Sequence, residues 1–518
     1  MVELSGSCLD SLAALALHSE RVAFQDAQGE LTYGQARDQV YRIARALLAL
    51  GLRPGQVVAY DALLSTQALL LGHAINHIGC GQMKVPTYVP VDVQADLIIE
   101  VNATAVVIDP IACGGYLGRL LTATPPPKLL SLGPGVGEDV LELAARESPI
   151  PFESAARPDG LSTFALTSGT TGRPKIVARR FDRLTPRRLG RPGLPRAQQP
   201  VRLLKCKHVS DHFRRFVEDT LACGGTVVTR ADFDPAEMIA TIEAQGITHL
   251  LAPPHQLRVL VDHPLLMTTD LSSLRWVLCT TARASPRLLR RAVERLGPVV
   301  YHTYGQTEAM GISRLSPEDY IPGRWELLAT CGRALPGVEI TVRDSTGQII
   351  GPGERGELWV RTPYVMAGYL NRPALTAQVL HEGWLRTGDA GSLDREGFLT
   401  LFGRITDAIE DGDHQVFFSE IENCVEEQPG VRDCAVFTVP ELGQVPALHL
   451  AVVADASTCS DEGGLQDAVL RGFGPACVPR SILFVPQIPV GSGNGPDRSL
   501  LAQWWSTDYR PGRPRAGG

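Results

Sequence analysis

Apolar positions recur along this 518-residue chain with two spacings. Helical spacing runs through Tyr33–Leu52 and closes near Gly51 and Pro54. Leu64–Ile78 is a mostly apolar helix that stops at Gly79, and residues 9–20 read as a first helix. Short apolar runs at Val57–Tyr60 and Ala103–Ile108 predict strands, and Val22–Asp26 with Gly29–Thr32 predicts a hairpin. The alternation continues through strands at Ser162–Thr167, Gly225–Val228, Thr248–Ala252, Trp276–Cys279 and Val299–Tyr304. Helices are predicted at Pro235–Gln245, His255–Val261 and Pro286–Leu296. Strands alternating with helices imply parallel α/β layers.

From Leu335 the pattern changes. Val338–Arg343, Gly356–Val360, Gly391–Leu393 and Phe398–Phe402 are short strands broken by Gly, Asp and Asn, as in a small antiparallel or barrel-like subdomain. A helix at Ser419–Gln428, strands at Val431–Thr438 and Ala447–Ala454, and a helix at Gly464–Gly472 follow. The fold class expected is α/β. A large N-terminal domain of layered α/β subdomains carries a small antiparallel subdomain, and a small, mobile α+β C-terminal domain follows. The boundaries are set at 1–402 and 403–508, with a disordered tail at 509–518.

Composition adds exclusions. Hydrophobic residues at 44% and charged residues at 20% are an ordinary globular balance. A formal net charge of −7 gives no general affinity for nucleic acid or an anionic membrane. The run from Arg179 to Arg196 is locally basic and reads as a solvated loop, or as a flap facing phosphates. Eleven scattered cysteines without C-x-x-C or zinc spacing point to free thiols in a reducing compartment. The first residues lack the basic region of a signal peptide, and no apolar stretch reaches bilayer length. A cytoplasmic protein is expected.

Candidate chemistry lies in four places. Leu166-Thr-Ser-Gly-Thr-Thr-Gly-Arg-Pro-Lys175 packs hydroxyls, glycines and one lysine into ten residues. Backbone N–H groups of such a turn form an anion-binding concavity, and Lys175 adds a charge suited to phosphate. The spacing is not that of a Walker A loop. In Tyr301-His-Thr-Tyr-Gly-Gln-Thr-Glu308, a strand ending at Tyr304 meets a polar turn. Glu308 there suits Mg²⁺, and Tyr304 suits a flat ring; read alone, the segment is a solvated turn. In Gly383-Trp-Leu-Arg-Thr-Gly-Asp389, a carboxylate after a tight glycine turn can accept two ribose hydroxyls. Arg404, at an interdomain linker, can reach an α-phosphate or form an interdomain ion pair.

The order of these motifs resembles the adenylate-forming superfamily of acyl-CoA synthetases, aryl-CoA ligases, nonribosomal adenylation domains and luciferases. The resemblance runs from Leu166–Lys175 through Tyr304–Glu308, Gly332–Gly337, Gly356–Val360, Gly368–Leu370, Trp384–Asp389, Gly403-Arg404, Asp407 and Glu420–Glu422. It implies a ligase that uses ATP and Mg²⁺ to make an acyl-adenylate, then passes the acyl group to CoA, a carrier thiol or an amine. By resemblance, Thr167, Ser168, Gly169, Thr170, Thr171, Gly172 and Lys175 embrace the β- and γ-phosphates. Thr307 contacts the α-phosphate and Glu308 binds the metal. Tyr304 and Thr281 lie by the nucleotide, Asp389 holds the ribose, and Arg404 meets ribose or phosphate. Thr406 occupies the hinge position.

Four departures qualify the match. The family's late lysine falls on Gly495 in one register and on Pro496 in another. Asp413 stands where CoA-using relatives carry a glycine along the pantetheine route. Thr280-Thr281-Ala282 replaces a Gly-Gly-Ala, which implies a differently shaped acid pocket. Near the acid, either Asp211 or His212 faces the substrate, with His212 the candidate base. The main reading is activation of a small organic acid, with aromatic acids among the candidates, and transfer to CoA. Alternatives are an amide synthetase with an amine acceptor, a nitrite-activating diazotase, and a non-catalytic adenylate-binding protein. A homodimer is left open.

Overall fold

The computed structural model describes residues 15, 18–112, 114–167, 174–183, 202–206, 211–320, 323–411, 414–439, 447–455, 461–491 and 493–508. The side chains of Arg183, Cys206, Asp211, His212, Asp411, His414 and Asp508 fall outside that description. So do most of the first predicted helix, Ser168–Arg173, most of the basic run, Gly412-Asp413 and the tail.

Two large sheets form the N-terminal domain. One has nine strands, with a parallel centre in the order Val300–Gln306, Trp276–Cys279, His249–Ala252, Arg202–Cys206, Thr226–Arg230 and Val22–Asp26. The other has eight strands, with Leu161–Leu166, Gly81–Lys84, Val57–Asp61, Ala103–Ile108 and Lys128–Ser131 parallel at its centre. Helices pack on these sheets through apolar stripes. In Tyr33–Ala49, residues Ala36, Val40, Ile43, Ala44 and Leu47 face the core, and Thr32 opens the helix with a capping box. Helix Asp211–Ala222 turns Phe213, Val217 and Leu221, four residues apart, into the same core.

A curled antiparallel sheet follows. It joins Glu339–Arg343, Gly356–Arg361, Trp384–Leu393 and Leu380–His381, with Leu399–Arg404 also paired to Trp384–Leu393. The hairpin Ala408–Asp411 and His414–Phe417 leads into the smaller C-terminal domain. Its three-stranded sheet, Val431–Val439, Ala447–Ala454 and Ile482–Phe484, packs with helices Phe418–Glu426, Glu462–Phe473 and Arg498–Asp508. The α/β class and the two-part architecture expected from the sequence are both present.

Two local expectations are corrected. Trp384–Leu393 is one strand of ten residues, and the bend before Asp389 is a break in its register, with Gly388 at φ +70°. The strand containing Tyr304 runs on to Gln306 and turns into Met310–Leu315, so the turn holding Thr307 and Glu308 is a hairpin. Among the described residues no helix is long and apolar enough to cross a membrane. Cys80, Cys223, Cys279, Cys331, Cys424, Cys434 and Cys477 are free thiols.

Candidate active site

The carboxyl ends of the parallel strands of the nine-stranded sheet meet the curled sheet and the C-terminal domain, the edge where open α/β sheets bind ligands. Asp389 and Arg404 are paired across the curled sheet. Arg404 Nε lies 3.2 Å from Asp389 Oδ1, and the same guanidinium donates to the Thr387 carbonyl at 2.9 Å. From the other sheet, Tyr304 donates its hydroxyl to Asp389 Oδ2 at 2.6 Å, and Gln306 Nε2 donates to the same oxygen at 2.5 Å. One buried carboxylate thus ties two sheets together. Burial pushes the Asp389 carboxyl up, and the Arg404 charge and the Tyr304 and Gln306 hydrogen bonds oppose that push. Burial and the Asp389 charge raise the Tyr304 hydroxyl, which keeps it protonated as a donor.

The second cluster surrounds Glu308. Tyr369 donates its hydroxyl to Glu308 Oε1 at 2.8 Å, and Lys175 Nζ stands 3.4 Å from the Tyr369 oxygen. The Lys175 ammonium also lies 4.6 Å from the Tyr369 ring centroid. Tyr369 therefore links the lysine that closes the glycine-rich segment to the carboxylate. Thr307 Oγ1 reaches the Leu166 carbonyl at 3.4 Å, at the opening of that segment. Thr167 N donates to the Lys175 carbonyl at 3.1 Å, so the segment leaves and re-enters its sheet at one point. The Thr167 hydroxyl is buried with no hydrogen-bond partner among the described residues. An orphaned hydroxyl beside a lysine fits an incoming phosphate oxygen. A lone carboxylate fits Mg²⁺, which keeps its waters and shares substrate phosphates. Among the described residues no cluster of three His, Cys, Asp or Glu could hold a metal by itself.

The Thr280-Thr281-Ala282 segment expected to shape the acid pocket follows strand Trp276–Cys279. Thr303 donates to Thr280 Oγ1 at 2.8 Å, across neighbouring strands. Thr281 sits at φ +76°, a left-handed conformation rare for a β-branched residue. Such strain costs about 1–3 kcal/mol and is found where a site over-determines the backbone. The adjacent His302 is held down to about 4 by burial and the Arg283 charge, and is neutral at pH 7.

The C-terminal domain docks on this edge through arginines of the N-terminal domain. Arg258 meets Glu426 at 3.0 Å and Asp433 at 3.1 Å. Arg283 donates to Asn423 Oδ1 at 2.7 Å, and Arg287 to the Val431 carbonyl at 2.9 Å. The loop carrying Gly495 is pinned by its own Gly491 N–H to Gly495 carbonyl bond at 2.8 Å. It faces Ala282.

The structure thus brings Thr167, Lys175, Thr307 and Glu308 together, and Tyr304, Asp389 and Arg404 together, with Thr281 beyond strand Trp276–Cys279. Ser168, Gly169, Thr170, Thr171, Gly172 and Asp413, and the His212 side chain, lie outside the described residues. Gln306 and Tyr369 were not singled out from the sequence. Both sit inside motifs that were quoted, and only the packing of distant strands gives them a role.

Residues 13–370 match the family model of the AMP-binding enzymes, and residues 420–494 that of the AMP-binding enzyme C-terminal domain. A medium/long-chain-fatty-acid–CoA ligase, FadD8 of Mycobacterium tuberculosis, is 30% identical over 95% of this chain and 89% of its own. A feruloyl-CoA synthase of Amycolatopsis is 30% identical over 89% of this chain and 92% of its own. The solved structure of the amide bond synthetase McbA from Marinactinospora thermotolerans superposes with a TM-score of 0.84 at 33% identity. That match covers 96% of this chain and 100% of the other.

Proposed function

The chain belongs to the AMP-binding enzymes and is an ATP-dependent, acid-activating ligase, and on that premise we propose that it joins a small aromatic carboxylic acid to an amine. The observation that carries the adenylation site is the Asp389 carboxylate, shared by Tyr304, Gln306 and Arg404 at the junction of two sheets.

In this reading Asp389 accepts the ribose hydroxyls, and Tyr304, held as a donor, fixes the carboxylate beside the adenine. Lys175, the Thr167 hydroxyl and the loop 168–173 bind the β- and γ-phosphates. Glu308 holds Mg²⁺, which when bound neutralises phosphate charge. Thr307 and Arg404 flank the α-phosphate. A carboxylate oxygen of the acid attacks the α-phosphorus in line. The bond from that phosphorus to the bridging oxygen breaks, and pyrophosphate leaves with the electron pair. The acceptor nitrogen then attacks the acyl carbon, loses a proton, and AMP departs. Whether Asp211 or His212 takes that proton is part of the proposal to be tested. The division at 402/403, with Thr406 as hinge, is also part of it.

Two considerations favour an amine. The chain is similar over nearly its whole length to an amide bond synthetase. Asp413, in place of the glycine on the pantetheine route, would oppose a CoA phosphate. The second reading, transfer to CoA, is supported by the ligases among the curated relatives, and the aromatic acid by the feruloyl-CoA synthase. The experiment is a product analysis by mass. The enzyme is given ATP, Mg²⁺ and an aromatic acid, with an arylalkylamine or CoA as acceptor. Amide without thioester supports the proposal, and thioester without amide selects the CoA reading.

A further inference from the structure

Arg215 is buried at 9% exposure in helix Asp211–Ala222, one turn past the helix start. The guanidinium carbon lies 3.9 Å from the Tyr364 ring centroid. Its Nε is buried with no hydrogen-bond partner, and no carboxylate pairs with it among the described residues. A buried guanidinium is normally matched by a carboxylate, because it cannot shed its charge. A neighbouring aromatic face offsets only part of that cost. The preceding residue shows the contrast: Arg214 donates to Asn76 Oδ1 at 2.9 Å and lies 3.8 Å from Glu218.

Arg215 is also placed next to the chemistry. Tyr364 belongs to the loop after strand Gly356–Arg361, and two residues later Met366 N donates to the Glu308 carbonyl at 2.8 Å. Arg179, buried on the strand that follows Lys175, donates to the Tyr364 carbonyl at 3.2 Å. Two guanidiniums therefore converge on one tyrosine, from its ring and from its backbone. The helix bearing Arg215 follows the strand Arg202–Cys206, and its first residues are those read as facing the acid. Lys84, at the end of a strand of the eight-stranded sheet, feels the charge of Lys205 on the nine-stranded sheet. Burial, opposed by Asp61 and reinforced by Lys205, lowers Lys84 to about 8.

We infer that Arg215, stacked on Tyr364, is an oxyanion subsite that receives a carboxylate or phosphate oxygen of a ligand bound in this site. Two sources share that chemistry: a second acidic group on the activated acid, or the pyrophosphate formed beside Glu308. The inference rests on the adenylation reading for its ligands but not on turnover for its test.

The test is calorimetric binding to the full chain. Matched acids, benzoate against isophthalate and butyrate against glutarate, are titrated with the α,β-methylene analogue of ATP present. Pyrophosphate is titrated separately with AMP and Mg²⁺. Native protein, Arg215→Gln and Arg215→Lys are compared. If the acid is the source, the diacid of at least one pair binds tenfold or more tightly than its partner. That ratio falls toward one in Arg215→Gln and is partly kept in Arg215→Lys. If pyrophosphate is the source, its affinity falls tenfold or more in Arg215→Gln, with partial rescue by lysine. Equal affinities within both pairs, together with pyrophosphate binding unchanged by the substitution or absent in the native protein, overturn the inference. An equal loss for every ligand in both variants also overturns it, since that is the mark of a packing role. Failure of AMP release in an activity assay, with these preferences intact, contradicts the adenylation reading and leaves the subsite standing.

Discussion

Gly495 faces Ala282: a Cβ built on Gly495 would stand 3.9 Å from the Ala282 Cβ, an ordinary van der Waals contact, with nothing closer. Of the two registers for the missing lysine, the structure gives this position room. Pro496, by contrast, is bridged to Val490. The loop lies against Ala282 and lacks the lysine that the resemblance implies at this position. Gly495→Lys is therefore expected to raise the rate of adenylate formation. One preorganised donor is worth about 3–4 kcal/mol at full effect, so a gain of 10- to 100-fold allows for imperfect placement. Single-turnover formation of acyl-AMP reads it, and an unchanged rate with unchanged stability would mean that another group already fills this role.

Thr281 carries strain that a glycine would not. Thr281→Gly is expected to raise the unfolding free energy by about 1 kcal/mol, because glycine adopts φ +76° without a Cβ clash. It also removes two heavy atoms' worth of wall near the acid and the Thr281 hydroxyl. Bulkier acids are expected to gain in kcat/KM relative to small ones. A stability gain with no change in acid preference would show that Thr281 shapes the backbone only.

The nucleotide cradle makes a distinction between charge and shape. Asp389→Asn keeps the shape but sets an amide N–H donor against a donor from Arg404 or from Tyr304 and Gln306, leaves Arg404 without its counter-charge, and is expected to weaken ATP binding at least tenfold. Lys175→Ala is expected to raise the KM for ATP and lower kcat, while AMP affinity changes little, since AMP lacks the β- and γ-phosphates. Fluorescence titration with AMP and steady-state ATP kinetics separate the two. Equal loss of AMP binding in both variants would contradict the assignment of Lys175 to the outer phosphates.

Asp433, half-buried at the domain junction, is pushed up to about 6 by desolvation, against the pull of Arg258. The unfolded carboxyl loses its proton near 3.8, so between that pH and about 6 the folded state binds more protons than the unfolded one. Stability from this group is therefore present at low pH and lost as pH rises through that window, by about 1–3 kcal/mol. Asp433→Asn lacks the titration. Its unfolding free energy minus that of the native chain is expected to be larger at pH 7 than at pH 4.5. Parallel pH profiles would contradict the link.

Much of this arrangement was legible from local signals. The hairpin Val22–Asp26 and Gly29–Thr32, and the strands Ala103–Ile108 and Trp276–Cys279, are short apolar runs bounded by turn residues, and they appear with those limits. Strands Gly81–Lys84 and Arg202–Cys206 were not read, because Gln82, Lys84, Arg202 and Lys205 break the apolar run although they stand in central strands. Helix Asp211–Ala222 was hidden for a related reason. Its buried face is Phe213, Val217 and Leu221, but Arg214 and Arg215 interrupt it and are buried too. At the site, motif order gave Asp389, Glu308 and Lys175. The links made by Gln306 and Tyr369 depend on contacts across 83 and 61 residues of sequence, which local patterns do not encode.

The central claim is acid-dependent attack on the α-phosphorus of ATP. It is tested most directly by measuring pyrophosphate and AMP release from ATP and Mg²⁺ across small aromatic and aliphatic acids, with nitrite included and an amine or CoA present. One aromatic acid is expected to give equimolar pyrophosphate and AMP, with ¹⁸O from the labelled carboxylate carried into AMP. AMP release with nitrite and an aromatic amine alone would move the assignment to diazotisation. Nucleotide binding without release on any acid would contradict the account.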